Sequence, residues 1–283
     1  MRVLITGAGG QVGRELVELC ETHEDEVTAL THSNVDVTVM GEIDTAVMNT
    51  QPDVVVHAGA WTAVDACEED PERAHAVNAL GTANVAAAAR EAGAFLVYLS
   101  TDYVFDGTKA TPYVETDSPN PASVYGQSKY AGEQAIAVGD DAAILRISWV
   151  CGRYGGNMVK TLLKLAADGV NPKFVSDQIG HPTIVGDLVP MLRSIALDRR
   201  GGLFHVTNQG VVSWFDFARE VFAAAGADPD RVSPIATADL DPPRPAPRPA
   251  NSVLENRALE LAGVSLLPDF RESLPALVSV LRQ

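Results

Sequence analysis

Short apolar runs and helix-like segments alternate through the first half of the chain. The apolar runs span residues 2–6, 26–30, 53–59, 94–100 and 142–148, and nearly every position in them is apolar. Strands covered on both faces have this composition, whereas strands with one wet face alternate apolar and polar residues. Helices between successive strands require parallel pairing with right-handed crossovers. The pattern therefore predicts an α/β fold built on a doubly wound parallel sheet of the Rossmann type.

The alternation becomes irregular near residue 150. A last clear helical segment covers residues 124–138, and residues 239–252, DLDPPRPAPRPANS, are too rich in proline for a regular helix. A chain of 283 residues is close to the size at which a single core stops growing, about 250–300 residues. We predict a sheet domain in residues 1–150 and a smaller C-terminal lobe in residues 151–283, with some segments of the lobe returning to the sheet domain.

The charge balance is strongly acidic, with 37 Asp and Glu against 21 Lys and Arg and a net charge of −16. Such a chain repels phosphate backbones and anionic lipid, so neither nucleic acid nor a membrane is predicted as a partner. No run approaches the ~20 apolar residues that span a bilayer, and the first residues, MRVLITGAGG, indicate a buried strand rather than a signal peptide. We predict a cytoplasmic protein whose acidic surface suits a salt-rich cytoplasm.

The three cysteines, Cys20, Cys67 and Cys151, are widely separated and form no Cys-x-x-Cys or Cys/His cluster. Disulfide frameworks and zinc sites need such clusters. The sequence therefore predicts free thiols and no metal-ligand set.

A glycine-rich loop, GAGGQVG, follows the first predicted strand and opens the first predicted helix. Glycines there permit a tight turn and let the backbone approach a pyrophosphate, which the free N–H groups of the helix N-terminus attract. The spacing is Gly-x-x-Gly-x-x-Gly. By itself such a loop is weak evidence of dinucleotide binding, but at the first βα turn of an alternating chain it is strong evidence. It predicts dinucleotide binding by Gly7, Gly10, Gln11, Val12 and Gly13.

The choice of dinucleotide is left open by the residues that end the second strand. An acid that would bind the adenosine ribose is expected there, but Thr31, His32 and Ser33 occupy the place. No carboxylate repels a 2′-phosphate and no Arg or Lys attracts one, so NADPH is permitted and NADH is not excluded. Asp36 and Val37 are predicted to follow a third strand and to contact adenine, although a helix cap or turn Asp is an equal alternative.

The stretch STDYVFDG places Ser100 and Thr101 at the end of a predicted strand, and YGQSK places Tyr125 and Lys129 four residues apart on one helix face. Ligands of parallel sheets bind at the carboxyl ends of the strands, so both hydroxyls are predicted to face a nicotinamide. Lowering a tyrosine pKa of about 10 by ~3 units takes ~4 kcal/mol, part of which a nearby Lys supplies. Although Tyr-x-x-x-Lys is common on helix surfaces, its combination with the glycine loop predicts ketone reduction.

These motifs together resemble the extended short-chain dehydrogenase/reductase family. Within it the chain is similar to dTDP-4-dehydrorhamnose reductases at GQVG, HAGAWTAVDACEEDPERAHAVN, STDYVFDG, RISWVCG, VSDQIGHPT, RPANSVL and LPDFRESL. The resemblance implies hydride transfer from NADPH or NADH to C4 of dTDP-4-dehydro-L-rhamnose, giving dTDP-L-rhamnose. It further implies that Thr101 polarises the C4 carbonyl, that Tyr125 donates the proton, and that Lys129 holds the nicotinamide ribose and lowers the Tyr125 pKa.

The same resemblance implies further contacts with the two ligands. Cofactor contacts are expected at Ala58, Gly59, Ala60, Asn78 and Ser100. Substrate contacts are expected at Thr62, Val64, Asp65, Asp102, Trp149 and Arg248, with Arg244 and Arg153 as weaker candidates for the diphosphate. Plain core packing is an alternative for Trp149, and a rigid solvated segment is an alternative for PPRPAPRP. A homodimer and a Mg²⁺ requirement are compatible with the family but cannot be read from the sequence.

Three related activities compete with this interpretation. Nucleotide-sugar 4,6-dehydratases carry Thr-Asp-Glu at the strand end, whereas this chain has Thr101, Asp102 and Tyr103, so the base for elimination is missing. A 4-epimerase needs no such Glu and stays open. A regulatory subunit of methionine adenosyltransferase type would bind a dinucleotide without catalysis, which the intact Thr101, Tyr125 and Lys129 set disfavours.

Overall fold

The computed structural model describes residues 1–136 and 141–283. Its strands are β1 (Arg2–Thr6), β2 (Glu26–Leu30), β3 (Val54–His57), β4 (Phe95–Thr101), β5 (Ala142–Ile147), β6 (Val150–Cys151), β7 (Lys173–Val175), β8 (Ile179–Gly180), β9 (Thr183–Ile184), β10 (Gly202–His205), β11 (Val212–Ser213) and β12 (Ser233–Ile235). Its helices are α1 (Gln11–Thr22), α2 (Met40–Thr50), α3 (Val64–Glu69), α4 (Pro71–His75), α5 (Gly81–Glu91), α6 (Val124–Ala135), α7 (Met158–Ala167), α8 (Val185–Leu197), α9 (Trp214–Ala224), α10 (Arg257–Leu261) and α11 (Phe270–Leu281). A π-helical turn, Ala76–Leu80, joins α4 to α5.

The predicted α/β fold with a parallel sheet is confirmed. Six strands pair in the order β10-β5-β4-β3-β1-β2, and every neighbouring pair is parallel. The five predicted apolar runs coincide with β1 to β5 to within two residues at either end. All residues of β3 and β4 are buried, as strands covered by helices on both faces should be. The predicted helix at 124–138 corresponds to α6, and its positions 137 and 138 lie outside the described residues.

The third strand predicted before Asp36 is wrong. Between β2 and α2 the described chain forms turns, in which the Asn34 side chain accepts a hydrogen bond from the Thr31 N–H at 2.6 Å. Short polar side chains that bond nearby backbone groups favour turns over strands. From β2, at the edge of the sheet, the chain crosses through α2 to β3, which pairs with the opposite side of β1. The direction in which successive strands are added therefore reverses between β1 and β3. A crevice for ligands is expected at that reversal, outside the carboxyl ends of the strands.

Separate apolar clusters support the sheet domain and the C-terminal lobe. One packs α1 and α8 against β1, β3, β4 and β5, and the other joins α7, α9 and α11. Both α8 and β10 come late in the chain but belong to the sheet domain, where β10 pairs with β5. These are segments of the kind predicted to return; the boundary itself stays a prediction.

The structure also describes the cysteines, the apolar helices and the arrangement of residues that could bind a metal. Cys20, Cys67 and Cys151 are buried and unpaired. Among the residues that the structure describes, no helix is both long and apolar enough to cross a membrane. In the same part of the chain, no group of three or more His, Cys, Asp or Glu side chains is arranged to hold a metal ion.

Candidate active site

A cleft of about 380 Å³ opens at the carboxyl ends of β1, β2 and β3. It is formed by the glycine loop, the turn after β2, the loop after β3 and one face of the helix that follows. The predicted cofactor residues that line it are Gly7, Gly10, Val37, Ala58, Gly59 and Ala60. The cleft therefore lies at the strand-order reversal, where the glycine loop was expected to meet a dinucleotide.

A larger groove of about 900 Å³ lies in the other lobe, between α7, α9 and α11. Several cations line it, but Arg231 donates hydrogen bonds to the carbonyls of Leu165, Ala166 and Val170, and Arg282 donates to the carbonyl of Ala225. These carbonyls lie at or just beyond the C-terminal ends of α7 and α9, where basic side chains commonly cap a helix. The charge of this groove is thus explained by helix capping, and the reacting groups lie elsewhere.

Close backbone contacts explain the glycines of the loop. Gly7 has φ of +70°, and an added Cβ would lie 2.5 Å from the nitrogen of Gly59. A Cβ on Gly13 would lie 2.3 Å from the carbonyl oxygen of Gly7. Because backbone cannot yield as a flexible side chain does, both positions require glycine to keep the first turn of α1 against β1. The result is a bare backbone surface that fits a pyrophosphate.

Replacing Gly13 by Ala is therefore expected to reduce dinucleotide affinity and to lower the free energy of unfolding by about 1–3 kcal/mol through overcrowding. Gly41→Ala is the matched control, since nothing lies within 4 Å of an added Cβ there and alanine favours helix. Urea denaturation and cofactor titration of both variants check the expectation. A Gly13→Ala protein with parental affinity and stability would contradict the close contact.

The side chains of Gln11 and Val12 do not face the cleft. The amide oxygen of Gln11 accepts hydrogen bonds from the N–H of Gly152 at 3.1 Å and from Asn157 Nδ2 at 2.9 Å. Val12 is buried in the apolar cluster beneath the sheet. Only the backbone of these two residues is left for a cofactor, while Gln11 connects the glycine loop to the segment that follows β6.

Two further predicted cofactor residues have structural roles. The carboxylate of Asp36 accepts hydrogen bonds from the N–H and hydroxyl of Thr38 at 2.9 and 2.8 Å, which is the turn role considered as an alternative. Asn78 is fully buried: its oxygen accepts from the Trp61 N–H at 2.8 Å, and its nitrogen donates to the Trp61 carbonyl at 3.1 Å and to Ser128 at 2.9 Å. Asn78 thus holds the loop after β3 in position, and its contact with the cofactor stays a prediction.

Thr101, Tyr125 and Lys129 come together beside β4. Ser123 caps α6 by accepting the Gly126 N–H at 3.1 Å, and a Cβ on Gly126 would lie only 2.2 Å from the Tyr103 carbonyl. Glycine at this point lets α6 approach the turn after β4, which brings the Tyr125 phenol close to the Thr101 hydroxyl. One turn later, Lys129 Nζ donates to the Leu99 carbonyl at 2.7 Å. All three side chains are buried.

The predicted fall in the Tyr125 pKa is wrong. Burial raises the pKa of this phenol, and the Asp102 carboxylate raises it further against the opposing effect of the nearby Thr101 hydroxyl. Burial also lowers the pKa of Lys129 to about 7, with the negative charge of Glu133 acting in the other direction. For both groups, desolvation penalises the charged form more than the opposing interaction favours it. In this arrangement Tyr125 holds its proton through neutral pH.

Ser100 and Thr101 do not face the same side, because successive residues of a strand point to opposite faces. The Ser100 hydroxyl donates to Glu133 Oε1 at 2.5 Å, and its contact with the nicotinamide stays a prediction. The Thr101 hydroxyl donates to Asp102 Oδ1 at 3.0 Å. Asp102 is 2% exposed, burial raises its pKa to about 6, and its Oδ2 has no hydrogen-bond partner in the described chain. Asp102 therefore offers an unpaired oxygen next to Thr101.

Sequence reasoning missed a buried ion pair behind these groups. Arg146 on β5 donates from Nε to Glu133 Oε1 at 2.9 Å and from Nη2 to Oε2 at 2.7 Å. Two signals could have revealed it. Glu133 is four residues after Lys129 in α6, and Arg146 is the charged residue inside the apolar run 142–148. The pair links the helix that carries Tyr125 and Lys129 to the central sheet.

The predicted substrate residues are partly engaged with one another. Arg248 donates to both oxygens of Asp65 at 2.5 and 2.8 Å, and this contact holds the pKa of Asp65 below its usual range. Arg248 was predicted to pair with the diphosphate; its guanidinium is held by a carboxylate, and the contact with the diphosphate stays a prediction. Arg244 approaches Asp65 at 3.6 Å with its side chain 58% exposed. The group of three retains one net positive charge.

The remaining substrate candidates are dispersed. Trp149 stacks on Trp214 with ring centroids 3.6 Å apart, which is the packing role considered as an alternative. Arg153 is paired with Glu15 and Glu18 on α1, outside the cleft. Thr62 is exposed and Val64 begins α3, so both lie on the segment that leads from the cleft to Asp65.

Known proteins match this chain over nearly its whole length. The family model described as the RmlD substrate binding domain matches residues 1–283. A dTDP-4-dehydrorhamnose reductase of Mycolicibacterium smegmatis is 44% identical over 277 residues, covering 96% of this chain and 84% of the relative. The crystal structure of a dTDP-4-dehydrorhamnose reductase from Clostridium acetobutylicum matches with a TM-score of 0.95 and 38% identity, covering 100% of each chain. Another from Bacillus anthracis, in complex with NADP, has a TM-score of 0.92 and 37% identity, covering 98% of each chain. Full-length agreement in sequence and structure shows that the chain belongs to the RmlD substrate-binding-domain family, together with these dTDP-4-dehydrorhamnose reductases.

Proposed function

We propose that the protein reduces dTDP-4-dehydro-L-rhamnose to dTDP-L-rhamnose, with Tyr125 as the proton donor. The observation that carries the proposal is the assembly of Thr101, Tyr125 and Lys129 next to a cleft lined by the glycine loop. The relatives' names and the NADP of the Bacillus anthracis structure support the substrate and cofactor classes. The bare backbone of the glycine loop fits the pyrophosphate of NADPH or NADH, and the bound dinucleotide supplies the hydride.

The chain supplies orientation and a proton. Tyr125, kept protonated by burial, passes its phenolic proton to the oxygen at C4 as negative charge develops there. Thr101, whose hydroxyl lies close to that phenol, polarises the C4 carbonyl. Lys129 is held by the Leu99 carbonyl, which leaves two of its three ammonium donors for the nicotinamide ribose. The unpaired oxygen of Asp102 is available to accept from a sugar hydroxyl.

The diphosphate of the sugar nucleotide is assigned to the cations beside Asp65. Asp65 braces Arg248, and the more exposed Arg244 adds a second guanidinium to the group. In a protein of net charge −16, a local excess of positive charge is needed to attract an anionic substrate. A homodimer, a Mg²⁺ requirement and a cytoplasmic location stay predictions from the sequence.

The test is a spectrophotometric assay of dTDP-4-dehydro-L-rhamnose reduction with NADPH and NADH supplied separately. We expect oxidation of both cofactors with NADPH modestly preferred, because the end of β2 carries neither an acid nor an Arg or Lys. NMR of the product identifies the sugar. A requirement for NADH without NADPH turnover would contradict the cofactor expectation. UDP-galactose conversion without net cofactor oxidation would favour the epimerase, and absence of both reactions would favour a regulatory role.

A further inference from the structure

The dinucleotide cleft contains one permanent cation. Among the described residues that line it there is no Asp or Glu, and the basic side chains are His32, in the turn after β2, and Arg73, on α4. The glycine loop offers N–H groups but no charged side chain. The protein as a whole carries a net charge of −16. A cleft lined by an arginine and by no described acid therefore differs from the rest of the protein and is suited to an anionic ligand.

Arg73 is held over the cleft by an aromatic ring rather than by a carboxylate. Its guanidinium carbon lies 4.5 Å from the centroid of the Trp61 ring, a cation–π contact. Within residues 1–136 and 141–283, no ion pair to Arg73 is present. Trp61 is fixed in turn by the two hydrogen bonds of its main chain to Asn78. The positive charge is therefore positioned but not neutralised.

The helix geometry locates Arg73 along the cleft. Arg73, on α4, and Val77, in the π-helical turn that follows, both line the cleft. A Cβ on Gly81 would lie 2.7 Å from Val37, which marks the end of the cleft where adenine is expected. Arg73 lies on α4, before the π-helical turn that leads to Gly81. Its contact with the Trp61 ring places Arg73 on the side of the loop after β3.

We propose that Arg73 binds the diphosphate of the nicotinamide dinucleotide, facing the glycine loop across the cleft. This inference rests on the proposed function, because it assumes a dinucleotide in the cleft. The diphosphate brings two negative charges into an acidic protein, and the loop can offer them only N–H groups. A guanidinium supplies charge-assisted and bidentate hydrogen bonds to phosphate oxygens. NADPH and NADH share the diphosphate, so both should depend equally on Arg73.

Calorimetric titration of Arg73→Gln with NADPH and with NADH, without sugar substrate, tests the contact. We expect both dissociation constants to rise about 10-fold, as loss of a hydrogen bond to a charged group implies. ADP-ribose, which keeps the diphosphate, should lose affinity by the same factor, whereas adenosine should not. Arg73→Lys keeps the charge without the planar fork and should lie between the parent and Arg73→Gln.

Arg219→Gln is the matched control, since Arg219 also stacks on an aromatic ring, Phe215, but lies on α9 in the other lobe. Parental affinities in Arg73→Gln would overturn the inference. A loss confined to NADPH would also overturn it, because that result assigns Arg73 to the 2′-phosphate. Failure of the parent to bind either dinucleotide would overturn the proposed function as well, whereas binding without turnover would leave this contact standing and refute only the proposed reaction.

Discussion

Replacing Tyr125 by Phe is expected to lower kcat by about 10²- to 10⁴-fold, the usual effect of removing a general acid, or about 3–5 kcal/mol of transition-state stabilisation. The ring stays in its buried place among Cys67, Ala74 and their neighbours, so the fold and the cofactor affinity should be kept. Steady-state kinetics with the sugar nucleotide and a separate NADPH titration check both parts of the expectation.

Tyr130→Phe is the matched control, because it removes the same hydroxyl from the same helix, five residues further on, where the side chain packs against a different apolar cluster. It should retain parental kcat. Near-full activity of Tyr125→Phe would remove Tyr125 from the reaction. An equal loss in Tyr130→Phe would indicate damage to α6 rather than loss of a proton donor.

Replacing Arg146 by Met is expected to lower the free energy of unfolding by about 3–5 kcal/mol, the range found when one partner of a buried ion pair is removed. The pair is almost inaccessible to water, with the side chains of Arg146 and Glu133 2% and 6% exposed. Methionine keeps much of the arginine volume, so the main cost is an uncompensated carboxylate at Glu133 in a dry environment. Urea denaturation of parent and variant gives the difference.

The double variant Arg146→Met/Glu133→Leu separates lost charge pairing from lost packing. Since replacing both partners by apolar residues removes the buried charge, it should recover at least half of the lost stability. The activity of the double variant should be lower than that of the parent, because Lys129 loses the negative charge of Glu133, which opposes the fall in the Lys129 pKa. A single variant within about 1 kcal/mol of the parent would contradict the assigned role of the pair.

Much of the fold and part of the site could be predicted from the sequence, and the errors have physical causes. The runs at 2–6 and 26–30 coincide with β1 and β2, because strands covered on both faces must be apolar. The third strand was wrong because the side chains of Asn34 and Asp36 stabilise turns. The pairing of Arg248 with Asp65, 183 residues away in the chain, could not be predicted from the motif around Arg248.

What the sequence determined by itself is local: the alternation of strands and helices, the glycine loop, and the spacing of Tyr125 and Lys129 on one helix turn. Those features follow from periodicity and backbone sterics, which act over a few residues. Only the tertiary structure decided the protonation of Tyr125, the pairing of Glu133 with Arg146, and the placement of Arg73 over the cleft. These depend on desolvation and on contacts between distant segments, and neither burial nor a long-range partner is encoded in the spacing of neighbouring residues.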